Sequence, residues 1–379
     1  MNRRERLMAT LRGERVDRPP VCFYELNGLD ENTESSDPYN IFSDPSWQPL
    51  LQLTREKTDR IVMRGIPFRN APPDPMSELT TIETEERDGE HITRTAIRAG
   101  DRTLTQRTRR QAEINTVWTE EHLLKNAEDV KAYLEIPAPP FGGTPDTSQA
   151  RATEETLGDT GIVMVDTPDP LAMAASLFEM GEYTIFALTE TTLFRRLLDR
   201  FAETLYPRVE AVAAAFPGRL WRIYGPEYAS PPYLPPRLFR EFVAAYDRPL
   251  VESIQRHGGY ARIHSHGRLR AILDDIAGMK PDGLDPIEPP PQGDMQLCEV
   301  WEKIGRETVL FGNLEISDIE TLPTPLFVER VQRALSEGAR EGGRGFVLMP
   351  SACPLRRTLP EITLRNYEAM VEQVERFSA

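Results

Sequence analysis

The sequence predicts an α/β fold, a (β/α)8 barrel with an antiparallel hairpin insertion, on three observations. Short β-branched runs alternate with long segments of helical period, the pattern of parallel strands joined by crossover helices. Eight such runs occur, the number that closes a barrel. Polar residues gather directly after the runs, at the strand ends where a barrel carries its chemistry. An open doubly wound sheet is the alternative, and the absence of G-x-G-x-x-G after the first run counts against its dinucleotide-binding form.

Taken in order, the predicted strands are Val21–Leu26, Arg60–Arg64, Gly161–Asp166, Leu220–Tyr224, Ala261–His264, Gly283–Ile287, Thr308–Gly312 and Gly345–Met349. The predicted helices are Trp47–Lys57, Leu171–Glu179, Thr192–Phe216, Pro236–His257, Leu269–Gly278, Gln296–Gly305, Pro325–Glu341 and Glu361–Ser378. Proline sets many of these boundaries. The chain has 33 in 379 residues, well above the usual ~5%. They sit at the edges of apolar runs, where a residue without a backbone N–H starts or stops an element.

The stretch at about 76–118 breaks the rhythm. TIETEERDGEHITRTAIRAGDRTLTQRTRR alternates polar and β-branched residues, with turn signals at Asp88-Gly89 and Gly100-Asp101, and reads as antiparallel hairpins. It is an insertion between the second and third barrel strands, within a single domain spanning 1–379. The run PAPPFGGTP, Pro137–Pro145, reads as a linker or loop.

Composition removes whole classes of function. Lys and Arg number 45 against 60 Asp and Glu, a net charge of −15. Nucleic acid and anionic membranes both select basic surfaces, so neither is an expected partner. No stretch approaches the ~20 apolar residues of a membrane span. The opening MNRRERLMATLRGERVDRPP has charges but no apolar core, unlike a secretory signal. Three cysteines cannot build a disulfide scaffold, and the expected location is the reducing cytoplasm.

The polar residues after each run form the candidate site. They are Glu25 and Asn27, then Arg64, Asp166, Glu227, His264 with His266, Asp285 with Glu288, Asn313 with Glu315, and Ser351 with Cys353. His264-Ser265-His266 is the sharpest motif, because residues two apart on a strand share a face. A set of His264, His266 and Cys353, with Glu227 as fourth ligand, suits Zn²⁺. The plain alternative is a pair of hydrogen-bonded histidines and a small buried thiol. Asp166, Asp285 and Glu288 are candidate proton-handling groups. Glu25, Asn27, Arg64, Asn313 and Glu315 are candidate substrate contacts, and loop capping is the alternative for several of them.

Several segments resemble the uroporphyrinogen decarboxylase-like superfamily, which includes the cobamide-dependent methyltransferases. These are NRRERLMATLRGERVDRPPV, WTEEHLLKNAEDVKAYLEIP, PRLFREFVAAYDRPLVESIQRHGGYARIHSHG, DGLDPIEPPPQGD, VLFGNLE and GRGFVLMPSACP, in the family's order and over nearly the whole chain. The resemblance implies a TIM barrel. The family's decarboxylases carry an arginine-rich stretch after the first strand and a histidine-glycine stretch after the last. Here FYELNGLDENTESSDPYN and Ser351-Ala352-Cys353 stand instead, and an acidic entrance repels a polycarboxylate.

The methyltransferase branch holds zinc with H-x-C on strand five and a cysteine after strand eight. His264 and Cys353 match, and His266 stands where the first cysteine is expected. The resemblance therefore implies a zinc-dependent methyltransferase. It would transfer a methyl group between a small methylated compound, such as a methoxylated one in an O-demethylase reaction, and a corrinoid protein. No D-x-H-x-x-G motif is present, so the cobalamin would come on that partner. A homodimer is a further expectation. Two other functions stay open: a decarboxylase or lyase acting on a small carboxylic acid, and a non-catalytic ligand-binding barrel.

Overall fold

Seven of the predicted barrel strands form one parallel sheet. In the computed structural model, which describes residues 1–377, they are β1 (Arg60–Arg64), β2 (Gly161–Pro168), β3 (Leu220–Tyr224), β4 (Tyr260–His264), β5 (Gly283–Asp285), β6 (Val309–Leu314) and β7 (Phe346–Pro350). Each pairs with the next in chain order. The sheet is curled and TIM-barrel-like.

The eighth predicted strand, Val21–Leu26, is corrected. It contributes only a bridge, Val21 to Leu348 on β7. Around that bridge the Cys22 N–H donates to the Leu348 carbonyl at 3.0 Å, and the Asp59 N–H donates to the Val21 carbonyl at 2.7 Å. One residue thus contacts both ends of the sheet. Beyond it the Leu26 N–H reaches back to the Phe23 carbonyl at 3.2 Å, with Glu25 at φ 59°. That turn takes the chain out of the sheet.

Alternation along the strands separates two apolar regions. Ile61, Ile162, Met164, Leu220, Val309, Phe311, Val347 and Met349 pack together inside the curl. Their neighbours Val62, Val163, Trp221, Ile263, Leu284, Leu310 and Leu348 pack outward with the helices. The inner and outer sets differ by one residue of register, as the period of two dictates. An unpredicted helix, Arg3–Arg12, puts Leu7 and Leu11 into the inner cluster. Its Asn2 and Glu5 form a capping box that starts it.

Helix bounds shift for physical reasons. Leu171–Glu179 resolves into Pro170–Ala175 and a second helix Met180–Thr189, each capped by its own acid, Asp169 and Glu179. Pro236–His257 contains a π-helical segment at Arg240–Ala244 before Ala245–Arg256. Predicted strand Gly283–Ile287 ends at Asp285, ahead of Ile287 at φ 56°. The last helix covers Glu361–Arg376, and Ser378, its predicted end, lies outside the described residues. Helices Ala127–Glu135 and Ser148–Leu157 are additional.

The insertion is a four-stranded antiparallel sheet: Thr80–Arg87, Glu90–Ala99, Arg102–Gln111 and Ile114–Glu121. It runs a little past the expected 118. Its first two turns fall at Asp88-Gly89 and Gly100, all at positive φ, as predicted. Ile97, Ala99 and Leu104 tie it to the outer core. In the Pro-rich loop, Thr144–Pro145 pairs with Phe68–Arg69.

Candidate functional site

Inside the curl, apolar layers give way to polar ones toward the carboxyl ends of the strands. Asp166, Arg222, Arg262 and Gly283 lie side by side in register across β2 to β5. Gly283 keeps this layer open: a Cβ there would sit 2.8 Å from the Phe311 ring and 3.2 Å from Arg262 Cγ. The next layer holds Pro168, Tyr224, His264 and Asp285, again in register.

Asp285 is fully buried and organises the second layer. Its Oδ2 lies 2.7 Å from His264 Nδ1, and its Oδ1 lies 2.9 Å from Arg262 Nε. Burial alone would raise the Asp285 carboxyl, but Arg262 and His264 outweigh it and hold it below the usual range. Arg262 also lies over the Phe311 ring, 4.9 Å from its centroid. His266 repeats the arrangement in the loop: its Nδ1 lies 2.8 Å from Glu288 Oε1, while Glu288 Oε2 accepts the Gly267 N–H at 2.6 Å. Burial lowers the His266 imidazole, yet the Glu288 hydrogen bond and charge leave it raised. The two imidazoles meet edge to face, 4.7 Å between centroids. Both use Nδ1 on a carboxylate, which leaves Nε2 of each ring for another partner.

A second chain of contacts runs across the curl. Asp166 is held by Arg222 at 2.6 and 3.1 Å. Arg222 donates to the Tyr24 hydroxyl as well and lies 3.5 Å from Glu25. Burial would lower the guanidinium, but the hydrogen bond to Asp166 outweighs it and the pKa is raised. Tyr24 stacks on His264, 5.7 Å between centroids at 9°. Glu25 accepts the Cys353 thiol at 3.7 Å. Burial and the Glu25 charge push that thiol up to about 12.

The structure thus joins Glu25, Asp166, His264, His266, Asp285, Glu288 and Cys353 into one network. Asp285 and Glu288, expected to handle protons themselves, each hold a histidine. Glu227 lies close enough for its charge to raise His266, and it accepts the Gly225 N–H at 3.0 Å. Among the described residues, no three His, Cys, Asp or Glu side chains are placed to hold one metal ion.

Two predicted contacts stand apart. Asn27 accepts the Leu29 and Asp30 N–H groups and builds its own loop. Arg64 is spent on Asp30 at 2.7 and 2.9 Å and on Thr153. Asn313 and Glu315 line a cavity of about 300 Å³, with Glu315 accepting the Ser351 hydroxyl at 3.1 Å. Sequence reasoning missed Tyr24, Arg222 and Arg262. The signal was there: an arginine at an inward position of LWRIY and of YARIH is a charge inside a buried strand, which requires a partner.

The family described as Uroporphyrinogen decarboxylase (URO-D) matches residues 115–377. The chain belongs to that family. The match takes in β2 to β7, and with them Asp166, Arg222, both histidines and Cys353. Among solved structures, a methyltransferase from Methanosarcina mazei superposes with a TM-score of 0.58 at 18% sequence identity, over 100% of this chain and 99% of that one. At that identity the likeness is one of fold. No curated protein matches the sequence significantly.

Proposed function

We propose that this member of the uroporphyrinogen decarboxylase family is a zinc-dependent methyltransferase, acting between a small methylated compound and a corrinoid protein. The observation that carries the reading is the pair of imidazoles whose Nδ1 atoms rest on carboxylates. Zinc-bound histidines are held in this way: the carboxylate fixes the tautomer and leaves Nε2 as the donor. By this test His264 and His266 fit the ion. Cys353 and Glu227, which now meet Glu25 and the Gly225 N–H, are the other proposed donors, and both would have to move for the four to share one ion. When bound, zinc supplies Lewis acidity at a substrate oxygen or sulfur.

The chain's own groups do the rest. Asp285 and Glu288 hold the two imidazoles in place. Arg222, clamped by Asp166, fixes Tyr24, whose ring covers one face of His264. Glu25 sits between Cys353 and Arg222 and accepts the thiol hydrogen bond that orients Cys353.

Elemental analysis of protein purified without added metal tests the reading directly. Near-stoichiometric zinc, lost in His264→Ala and His266→Ala, is expected, together with methyl transfer to cob(I)alamin followed by its absorbance. Metal-free protein with full transferase activity would sink the zinc mechanism. A decarboxylase or lyase is the second reading, favoured by the cluster of Asp166, Arg222, His264 and Asp285 at the strand ends, groups able to hold an acid and move a proton. Release of CO₂ from a small acid without methylated corrinoid would select it.

A further inference from the structure

A cavity of about 300 Å³ lies beside the histidine network, between the loop after β5, the end of β6 and helix Thr324–Gly338. Its volume is at the lower end for small-molecule pockets. Pro289–Pro291 make one wall, and Leu314 and Phe327, both buried, line it with apolar surface.

Three of its polar groups have a free side. The Arg333 guanidinium makes no hydrogen bond or ion pair among the described residues, and Arg330 reaches Asp318 only at 3.7 Å. The lining holds three carboxylates, Glu315, Asp318 and Glu337, and Glu337 accepts the Cys298 N–H at 3.0 Å. Glu315 gives its Oε1 to Ser351, while its Oε2 is buried with no partner. The Asn313 amide also makes no hydrogen bond among the described residues. Burial and the nearby Glu288 charge raise the Glu315 carboxyl.

We propose that this cavity is a binding site for a small organic acid. Its carboxylate lies on Arg333 and Arg330, its body lies against the prolines and Phe327, and a hydroxyl or amide group meets Asn313 and Glu315. A guanidinium with no internal acid is the group that recognises a carboxylate in a forked pair. The reading does not depend on methyl transfer.

Calorimetric titration of the full chain with succinate and benzoate, against succinamide and benzamide, tests it. The acids should bind at least tenfold more tightly than the amides. Arg333→Gln should weaken acid binding about tenfold with an unchanged melting temperature, since Arg333 is exposed. Arg333→Lys should retain part of the affinity. His264→Ala should bind the acids as the parent does, which separates this site from the transferase reading. Equal binding of acids and amides, no binding by either acid at about 10 mM, tenfold above a ~1 mM dissociation constant, or full affinity in Arg333→Gln would each overturn the proposal.

Discussion

Asp285 is the residue on which the site depends most. It is fully buried between Arg262, itself only 1% exposed, and His264. Asp285→Asn keeps the shape and strands a buried guanidinium. The expected cost is about 3–5 kcal/mol, read from urea denaturation. Where the mutant folds, activity or metal affinity should fall by about 10- to 100-fold, because the orienting carboxylate is gone. Asp247 presents the opposite situation. It is fully buried, neither of its oxygens has a partner, and burial with the Glu227 charge raises its carboxyl well above the usual range. Asp169 is raised in the same way by burial and by Asp247. The folded protein therefore keeps protons that the unfolded chain releases near pH ~3.9. Stability falls as pH rises through the window between that value and the raised one. Asp247→Asn, which cannot ionise, should flatten this decline and raise stability at pH 8 relative to the parent. Melting temperatures across pH 5 to 9 decide it, and an unchanged slope would count against the assignment.

At the level of elements, the site is carried by the segments where regular structure stops. The chain leaves the sheet after Val21 through a turn with Glu25 at φ 59°, and it leaves β5 through Ile287 at φ 56°. A left-handed conformation is unfavourable for both residues. Each conformation places a carboxylate: Glu25 on Cys353 and Arg222, and Glu288, just after Ile287, on His266. Glu25→Gly should gain about 1 kcal/mol of stability by relieving that strain, while activity is lost with the partner of Cys353. Chemical denaturation and a transfer assay on the same variant read both effects. A variant that is less stable and still active would contradict this account. These turns were not legible in the sequence. VCFYEL has the composition of a strand throughout, and only the return bond from Leu26 to Phe23 shows that it ends early. The hairpin insertion was legible, because Asp88-Gly89 and Gly100-Asp101 announce their turns and the alternation is local.

Across the whole molecule, the ends of the curled sheet are brought together by a charged cluster remote from the histidines. Asp59, fully buried, accepts from Arg6 at 2.6 Å, from Arg18 at 2.8 Å and from the Val21 N–H at 2.9 Å. It thereby links the N-terminal helix, the Val21 bridge and the start of β1. Asp59→Ala leaves Arg18 without its acid, Arg6 on Asp17 alone and the Val21 N–H without its acceptor, and should cost about 3 kcal/mol. The loss should appear as a lower urea midpoint with an unchanged slope. A near-neutral result would show that the bridge holds without the cluster. Among the described residues, no helix is long and apolar enough to cross a membrane.

The sequence by itself determined the order of seven barrel strands and most of the helices between them, the insertion, and which strand ends carry polar side chains. These follow from local periodicity and from proline and glycine, which act within a few residues. It also supplied the family's motifs in order. Only the tertiary structure decided how those polar groups are used. Arg64 goes to Asp30, Asn27 to its own loop, Asp285 and Glu288 to the histidines, and Cys353 to Glu25 across 328 positions of chain. Pairing of this kind depends on which strands the curl brings together, and on the high cost of leaving a buried charge alone. Neither can be read from spacing along the chain.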